Sequence, residues 1–335
     1  MKVADFDFFL PEDLIAKRPL KERPSSRLLV LHTDSTIEHE RFSDLPSYLN
    51  KGDILLINNT RVFPARLTGF KKNGGRLEIL LVRKKKDNAW EVLSKGRFTG
   101  TLKISEELQL EIHNGDTAYF KYPGDLMDII WKYGNMPLPP YLRRSPDESD
   151  KETYQTIYAK KEGSIAAPTA GLHFTDKLLK EITSKGIKLR ELTLHVGIGT
   201  FMPIRTENVE EHSMGAEYFD IDKELISEIK EIKASGKRVI SVGTTTTRAI
   251  EGYVSGKCNV TLQNGRIKGT TDAFIYPGYN FRIVDSLVTN FHLPGSTPLM
   301  LASAMCGWEK LLKAYKEAIA RGYRFLSYGD AMLIL

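Results

Sequence analysis

Three stretches place a histidine or a row of hydroxyls where an apolar run gives way to a helical pattern: AAPTAGLHFTD (Ala166 to Asp176), SVGTTTTRAIE (Ser241 to Glu251) and TNFHLPGST (Thr289 to Thr297). The imidazoles of His173 and His292 suit proton transfer near neutral pH. The hydroxyls of Thr244, Thr245, Thr246 and Thr247, the free amides of a helix start and Arg248 together suit a carboxylate or a ribose. In LTLHVGIGTFMPI, Leu192, Leu194 and Val196 alternate as a strand, which sends His195 to the opposite face, ahead of Gly197 and Gly199. That glycine pair lacks the third glycine and the helix of a dinucleotide turn, because Pro203 intervenes. EEHSMGAEYFDI gathers Glu210, Glu211, His212 and Glu217 without a second pair at metal-ligand spacing, so acid–base or hydrogen-bonding use is expected and no metal. TDAFIYPGYNF sets Asp272, Phe274, Tyr276 and Tyr279 together, aromatics beside polar loops that suit stacking on a base. Each stretch alone also reads as a hydrogen-bonded loop or a well-capped helix; several together point to a site.

Two kinds of element must position these residues. From Leu67 to about Phe120 short alternating runs (RLTGF, GRLEILLVR, AWEVLSKG, LQLEIH, TAYFKY) are separated by turn signals such as KKNGG and HNGD, the pattern of an antiparallel β unit, expected as a small barrel. Around it the grammar is α/β. Ile54 to Ile57 reads as a buried strand, TDKLLKEITSKG as a helix capped by Thr175 and stopped by Gly186, and DKELISEIKEIKASG as a second. KRVISVG and DSLVTNF read as strands, each followed by a helix, the first beginning near Thr246. The expected fold is an α/β/α sandwich-like main domain, residues 1–65 and 151–335, interrupted by an antiparallel β-barrel domain at 66–150 that ends in a proline-rich linker. The acidic, serine-containing stretch after Arg144 reads as solvent-exposed.

The composition of the 335-residue chain, 41% hydrophobic and 27% charged, excludes disordered, collagen-like and coiled-coil classes. Only Cys258 and Cys306 are present, too few for a disulfide framework, so a reducing cytoplasmic setting is expected. No secretory leader or membrane span is apparent. The net charge is +6, yet the window from Arg66 to Lys103 holds eleven Lys or Arg against three acids, a local +8 that leaves −2 for the remainder. Such a surface suits a polyanion such as RNA, or else is a solvated lysine-rich face.

The motifs AAPTAGLHFT, LHVGIGTF, VGTTTTRAIE, IYPGYNF, LVTNFHLPGST and SYGDAM, in that order, with FDFFLPEDLIAKRP, RPSSRLLVL and GDILLINNTRVFPARL before them, closely resemble the S-adenosylmethionine:tRNA ribosyltransferase-isomerase family of queuosine biosynthesis. The resemblance spans nearly the whole chain and implies the same sandwich-plus-barrel fold. It also implies a reaction in which the ribosyl part of S-adenosylmethionine, the co-substrate, is transferred and isomerised onto 7-aminomethyl-7-deazaguanine at the tRNA wobble position. Epoxyqueuosine forms, and adenine and methionine leave. Two positions depart from the family pattern: Gly215 stands where a second histidine is usual, and Gly295 where a charged residue is common.

That reaction needs a base for the proton beside the sulfonium, an acid for the departing adenine and a means of keeping the aminomethyl group uncharged. The catalytic candidates are His173, His292 and Glu217, with His195 and His212. The substrate-binding candidates are Thr169, Thr200, Thr244, Thr245, Thr246, Thr247, Arg248, Asp272, Phe274, Tyr276, Asn290 and Asp330. Arg18, Arg61, Arg66, Lys84, Lys85 and Lys86 are the candidates for tRNA. A monomer is expected. Two rival readings are an S-adenosylmethionine-dependent RNA methyltransferase and a non-catalytic RNA-binding protein.

Overall fold

The computed structural model describes residues 1–85, 89–201 and 204–335, apart from the side chains of Thr200 and Phe201. One mixed sheet of ten strands runs in the spatial order Asn259–Gln263, Arg266–Thr271, Glu217–Asp222, Lys188–Leu194, Ile54–Asn58, Val239–Val242, Ser286–Asn290, Ala331–Ile334, Arg27–Leu31 and Ile37–Arg41. The four central strands, from Lys188–Leu194 to Ser286–Asn290, are parallel, in a register that pairs Lys188 and Val239 with Ile54, and Ile240 with Ser286. Their carboxyl ends therefore lie side by side. In open α/β sheets that edge is where ligands collect.

Strand residues alternate between two cores. Leu55, Ile57, Ile240, Val242, Val288 and Leu333 face the helix Asp176–Ser184, while Ile54, Leu56, Val239, Leu287 and Met332 face the helices Lys223–Ala234, Thr244–Val254, Thr297–Cys306 and Trp308–Ala320. Both faces being covered explains why the central strands are apolar throughout instead of alternating with polar residues. The helix Asp176–Ser184 starts where the Thr175 hydroxyl accepts from Leu178 N, and Asp222 caps Lys223–Ala234 in the same way. The threonine-rich helix begins at Thr244, two residues earlier than the spacing predicts. Gly243 makes the turn at φ 87°, where a side chain would be strained, and carries no cap of its own.

The inserted unit is a closed six-stranded antiparallel barrel: Thr117–Lys121, Ala89–Ser94, Arg76–Lys84, Arg66–Lys71, Gly100–Lys103 and Gln109–His113 in spatial order. Leu67, Ile79, Leu81, Val92, Leu102, Leu110 and Ile112 fill it, together with Ile129 and Ile130 of the helix Leu126–Tyr133. Closure removes the free strand edges that a small sheet would expose. The chain enters and leaves along a short parallel ladder, Thr60–Val62 with Lys161–Ser164, so the barrel is anchored just beyond the carboxyl end of Ile54–Asn58. Gln155 reinforces this neck, its amide nitrogen donating to Val62 O at 2.5 Å and its oxygen accepting from Val62 N at 3.1 Å.

The stretch after Arg144 departs from expectation. Ser145, Asp147, Glu148 and Ser149 are exposed, but Asp150 is fully buried and takes both terminal nitrogens of Arg144 at 2.6 and 2.7 Å. Tyr154, Gln155 and Thr156 follow it into the interior. An acidic sequence need not be a solvated one when an arginine six residues away supplies the counter-charge.

Candidate active site

The carboxyl ends of the parallel strands hold much of the predicted chemistry. Asn58, at the end of its strand, donates to Leu194 O at 2.9 Å and accepts from Leu194 N at 3.0 Å, which pins the neighbouring strand one residue before His195. His195 Nδ1 lies 2.8 Å from the Thr60 hydroxyl, its ring stacks on Tyr218 at 5.4 Å, and Gly163 packs against it so closely that a Cβ there would lie 2.6 Å from Nε2. Burial lowers the His195 pKa to about 4, with Asp220 opposing weakly. At neutral pH it is a neutral imidazole with one ring nitrogen free of a proton, able to accept one and unsuited to arriving as a charged acid.

Beside it Glu217 and Arg248 form a pair at 2.5 Å, with side chains only 3% and 6% exposed. The second Glu217 oxygen accepts from Gly197 N at 2.8 Å, which is the structural use of the Gly197–Gly199 turn. Arg248 Nε donates to Ala273 O at 2.9 Å, while Nη2 is buried with no acceptor among the described residues. An unpaired guanidinium donor in the interior costs on the order of 1–3 kcal/mol unless a ligand completes it.

Thr169, Thr244, Thr245, Asn290 and His292 line one pocket at the sheet edge, together with Tyr141 and Tyr154 from the segment that follows the barrel. Thr244, Thr245 and Arg248 also face the first turn of Thr297–Cys306, so two helix starts converge there. The remaining threonines differ: Thr246 donates to Val242 O at 2.6 Å and Thr247 to Ser241 Oγ at 2.9 Å, so these hydroxyls serve the helix and its strand. Tyr154 is fully buried in the pocket wall, and its hydroxyl has no hydrogen-bond partner among the described residues.

His173 occupies a different position. It is buried, stacked on Phe42 at 4.8 Å, with Nδ1 2.7 Å from Ser26 Oγ and Nε2 3.1 Å from Asn290 Nδ2. Ser26 donates to Arg23 O and Asn290 accepts from Thr169, so the consistent tautomer carries its proton on Nδ1, with the Asn290 amide donating to Nε2. Burial, aided by the Arg23 and Arg324 charges, lowers its pKa to about 3. This neutral ring holds Asn290 and Thr169 in place. His292 has Nε2 2.8 Å from the Thr289 hydroxyl, and burial lowers its pKa too.

Other predicted residues lie elsewhere. His212, Asp272, Phe274 and Tyr276 line a separate cavity of about 630 Å³, where Phe274 meets Tyr276 at 5.1 Å and His212 at 5.0 Å; burial lowers the His212 pKa. Asp330 has a structural use: its carboxylate accepts from Arg27 N and Nε and from Arg324 N, clamping two strand starts together. Arg18 pairs with Asp147 at 2.6 Å, Arg61 lies over Trp131 and 3.6 Å from Glu162, and Arg66 pairs with Glu78 and donates to Leu138 O. Lys84 and Lys85 are exposed on the barrel, Lys85 donating to Thr117. Lys86 lies outside the described residues, as does the Thr200 side chain. Among the described residues no group of three His, Cys, Asp or Glu could hold a metal ion.

Sequence reasoning missed Asn58 and Glu251. Glu251 is fully buried and accepts from the backbone nitrogens of Arg282, Ile283 and Val284 and from the Tyr279 hydroxyl, fixing the loop below the aromatic cavity. A polar residue ending an apolar strand, or on the apolar side of a helix, was the available signal for both.

Between barrel and sheet a further cavity of about 620 Å³ is walled by Phe63, Trp90 and Tyr122 on one side and His195, Glu217 and Tyr218 on the other. It is within the size range of small-molecule sites, and Val196 belongs both to its wall and to the sheet-edge pocket. A family model described as queuosine biosynthesis protein matches residues 3–334. The chain belongs to that family. Relatives named S-adenosylmethionine:tRNA ribosyltransferase-isomerase are 55% identical in Thermodesulfovibrio yellowstonii and 48% in Halothermothrix orenii, each over all of both chains. The crystal structure of the S-adenosylmethionine tRNA ribosyltransferase of Thermotoga maritima superposes with a TM-score of 0.57 at 34% identity, covering 99% of this chain and 100% of that one. Members of this family act on two substrates, and the structure offers two cavities that share Val196 in their walls.

Proposed function

We propose that this chain transfers and isomerises the ribosyl moiety of S-adenosylmethionine onto 7-aminomethyl-7-deazaguanine at a tRNA wobble position, forming epoxyqueuosine and releasing adenine and methionine. The observation that carries the assignment of the site is the buried Glu217–Arg248 pair, which links the wall of the cleft, through Glu217, to the two converging helix starts, through Arg248. The sheet domain, 1–65 and 151–335, supplies the chemistry, and the barrel domain, 66–150, presents RNA to it.

Arg248 Nη2, with the two helix starts at Thr244 and Thr297, binds the methionine carboxylate. Phe274 and Tyr276, joined to Arg248 through Ala273 O, stack the adenine, and Asp272 and His212 complete that wall. Glu217 and His195 are the proton acceptors for the methylene beside the sulfonium and for the incoming ammonium. His292, Thr169 and Asn290 orient the ribose, and His173 holds the latter two. Lys84, Lys85 and Lys86, with Arg18, Arg61 and Arg66, meet tRNA phosphates. Among the described residues no helix is long and apolar enough to cross a membrane, and both cysteines are free, which fits a reducing cytoplasm.

The test is a product assay with purified protein, S-adenosylmethionine and precursor tRNA. Free adenine and methionine in equal amounts are expected. S-adenosylhomocysteine with a methylated nucleoside would instead support the methyltransferase reading, and RNA binding with no product would support a non-catalytic binder.

A further inference from the structure

Building on that reading, we propose that the cleft between barrel and sheet receives an unstacked nucleobase of the RNA, and that the Trp90 indole N–H recognises a carbonyl on that base. Trp90 lines the cleft, is 7% exposed, and packs against Phe63 at 5.7 Å. Its Nε1 is buried with no acceptor among the described residues. Tryptophan can only donate, and a buried indole N–H ordinarily has a partner. A purely structural tryptophan would leave that donor unsatisfied.

The rest of the cleft narrows what the partner is. Exposed Arg83 and Lys84 stand at its barrel side, as a phosphate backbone entering there requires. The Glu217 carboxylate, an acceptor-only group, stands on the sheet side. A single donor on one wall and a carboxylate on the other complement a base that offers a carbonyl on one edge and N–H groups beside it. Guanine and its deaza analogues have that pattern, whereas adenine presents an amino group in place of the carbonyl. The cavity volume of about 620 Å³ accommodates a flipped-out nucleotide, and taking the base out of the stack is how enzymes reach a buried base. Val196, shared with the sheet-edge pocket, marks where a group carried by this base would meet the bound co-substrate.

The test combines one variant with one altered base. Wild type and Trp90→Phe are titrated with two anticodon stem-loop RNAs identical except for guanine or 6-thioguanine at the wobble position, the latter keeping N1–H and the amino group while replacing the carbonyl oxygen with a weakly accepting sulfur. Wild type is expected to bind the guanine RNA about tenfold more tightly, and Trp90→Phe to bind both alike, because the lost donor and the lost acceptor are the same hydrogen bond. In turnover with precursor RNA, Trp90→Phe raises the KM for RNA and leaves that for S-adenosylmethionine within about twofold. Unchanged discrimination in Trp90→Phe, or a KM effect confined to S-adenosylmethionine, overturns the assignment. If Trp90→Phe fails to fold, the Trp131→Phe/Trp308→Phe protein isolates Trp90 fluorescence: a change on saturation with precursor RNA supports the pocket, and an unaltered spectrum overturns it. Wild-type adenine release, measured alongside, separates failure of this pocket from failure of the ribosyl-transfer reading.

Discussion

Replacing Glu217 with Gln leaves Gly197 N–H an acceptor but turns an NH2 group toward Arg248, donor against donor, in a site where both side chains are almost wholly buried. Breaking a buried pair from one side costs about 3–5 kcal/mol, because the partner's charge is left in the interior. Arg248→Met should cost a similar amount by removing the guanidinium counter-charge from buried Glu217. The double variant Glu217→Gln/Arg248→Met strands neither charge, so it should regain at least about 2 kcal/mol relative to the sum of the single losses. Activity follows another rule: if Glu217 accepts a proton in the reaction, its loss lowers turnover by about 10²–10⁴-fold, and restoring stability does not restore it. Denaturant midpoints and adenine release under single-turnover conditions, measured on all four proteins, separate the two effects. A double variant as unstable as the sum of the singles would refute the energetic coupling. Turnover in Glu217→Gln within a few-fold of wild type would refute the proton-acceptor role.

Three further perturbations test the positions of the histidines and of the RNA surface. The folded pKa values of His173 and His195, about 3 and about 4, lie below the ordinary histidine value of about 6.5. The unfolded chain therefore binds protons that the folded chain does not, so stability is fully present above about pH 6.5 and declines as the pH falls toward 4. Denaturant midpoints between pH 7 and 4 should show that slope, and His173→Gln should flatten it. Gly163→Ala puts a methyl 2.6 Å from His195 Nε2 at a φ of 148°, so turnover should fall at least about tenfold while far-UV circular dichroism is retained; unaltered kcat would remove His195 from the site. Neutralising Lys84, Lys85 and Lys86 together should reduce the slope of log affinity against log salt by up to about three, read from tRNA binding at several ionic strengths. An unchanged slope would leave the barrel surface without a part in RNA binding.

Much of the framework was legible because it is written in local patterns. The run Ile54 to Ile57, the cap at Thr175 and the stop at Gly186 each correspond to a strand end or helix boundary in the structure, since capping and apolar periodicity act within a few residues. The alternating runs announced a β unit, and closure of the barrel agrees with the expected architecture. The side-chain assignments were less legible because they depend on pairings across long separations. His173 reads as a loop histidine in sequence; only the contacts with Ser26, 147 residues away, and Asn290, 117 away, give its ring a tautomer and a supporting role. Thr244 to Thr247 look equivalent in a row, yet helical geometry turns Thr246 and Thr247 back onto Val242 and Ser241 and leaves Thr244 and Thr245 to the cavities. The aromatic stretch around Phe274 is adjacent in sequence to the other loops and lines a different cavity. Trp90 carries no sequence signal beyond an apolar strand position, because its significance lies in an acceptor that the described residues do not provide.

The most direct measurement uses S-adenosylmethionine labelled in the ribose in one reaction and in the methyl group in another, each with precursor tRNA and this protein. Ribosyl transfer predicts ribose label in the tRNA and methyl label wholly in free methionine. Methyl label in the tRNA, with the ribose label remaining in S-adenosylhomocysteine, would contradict it.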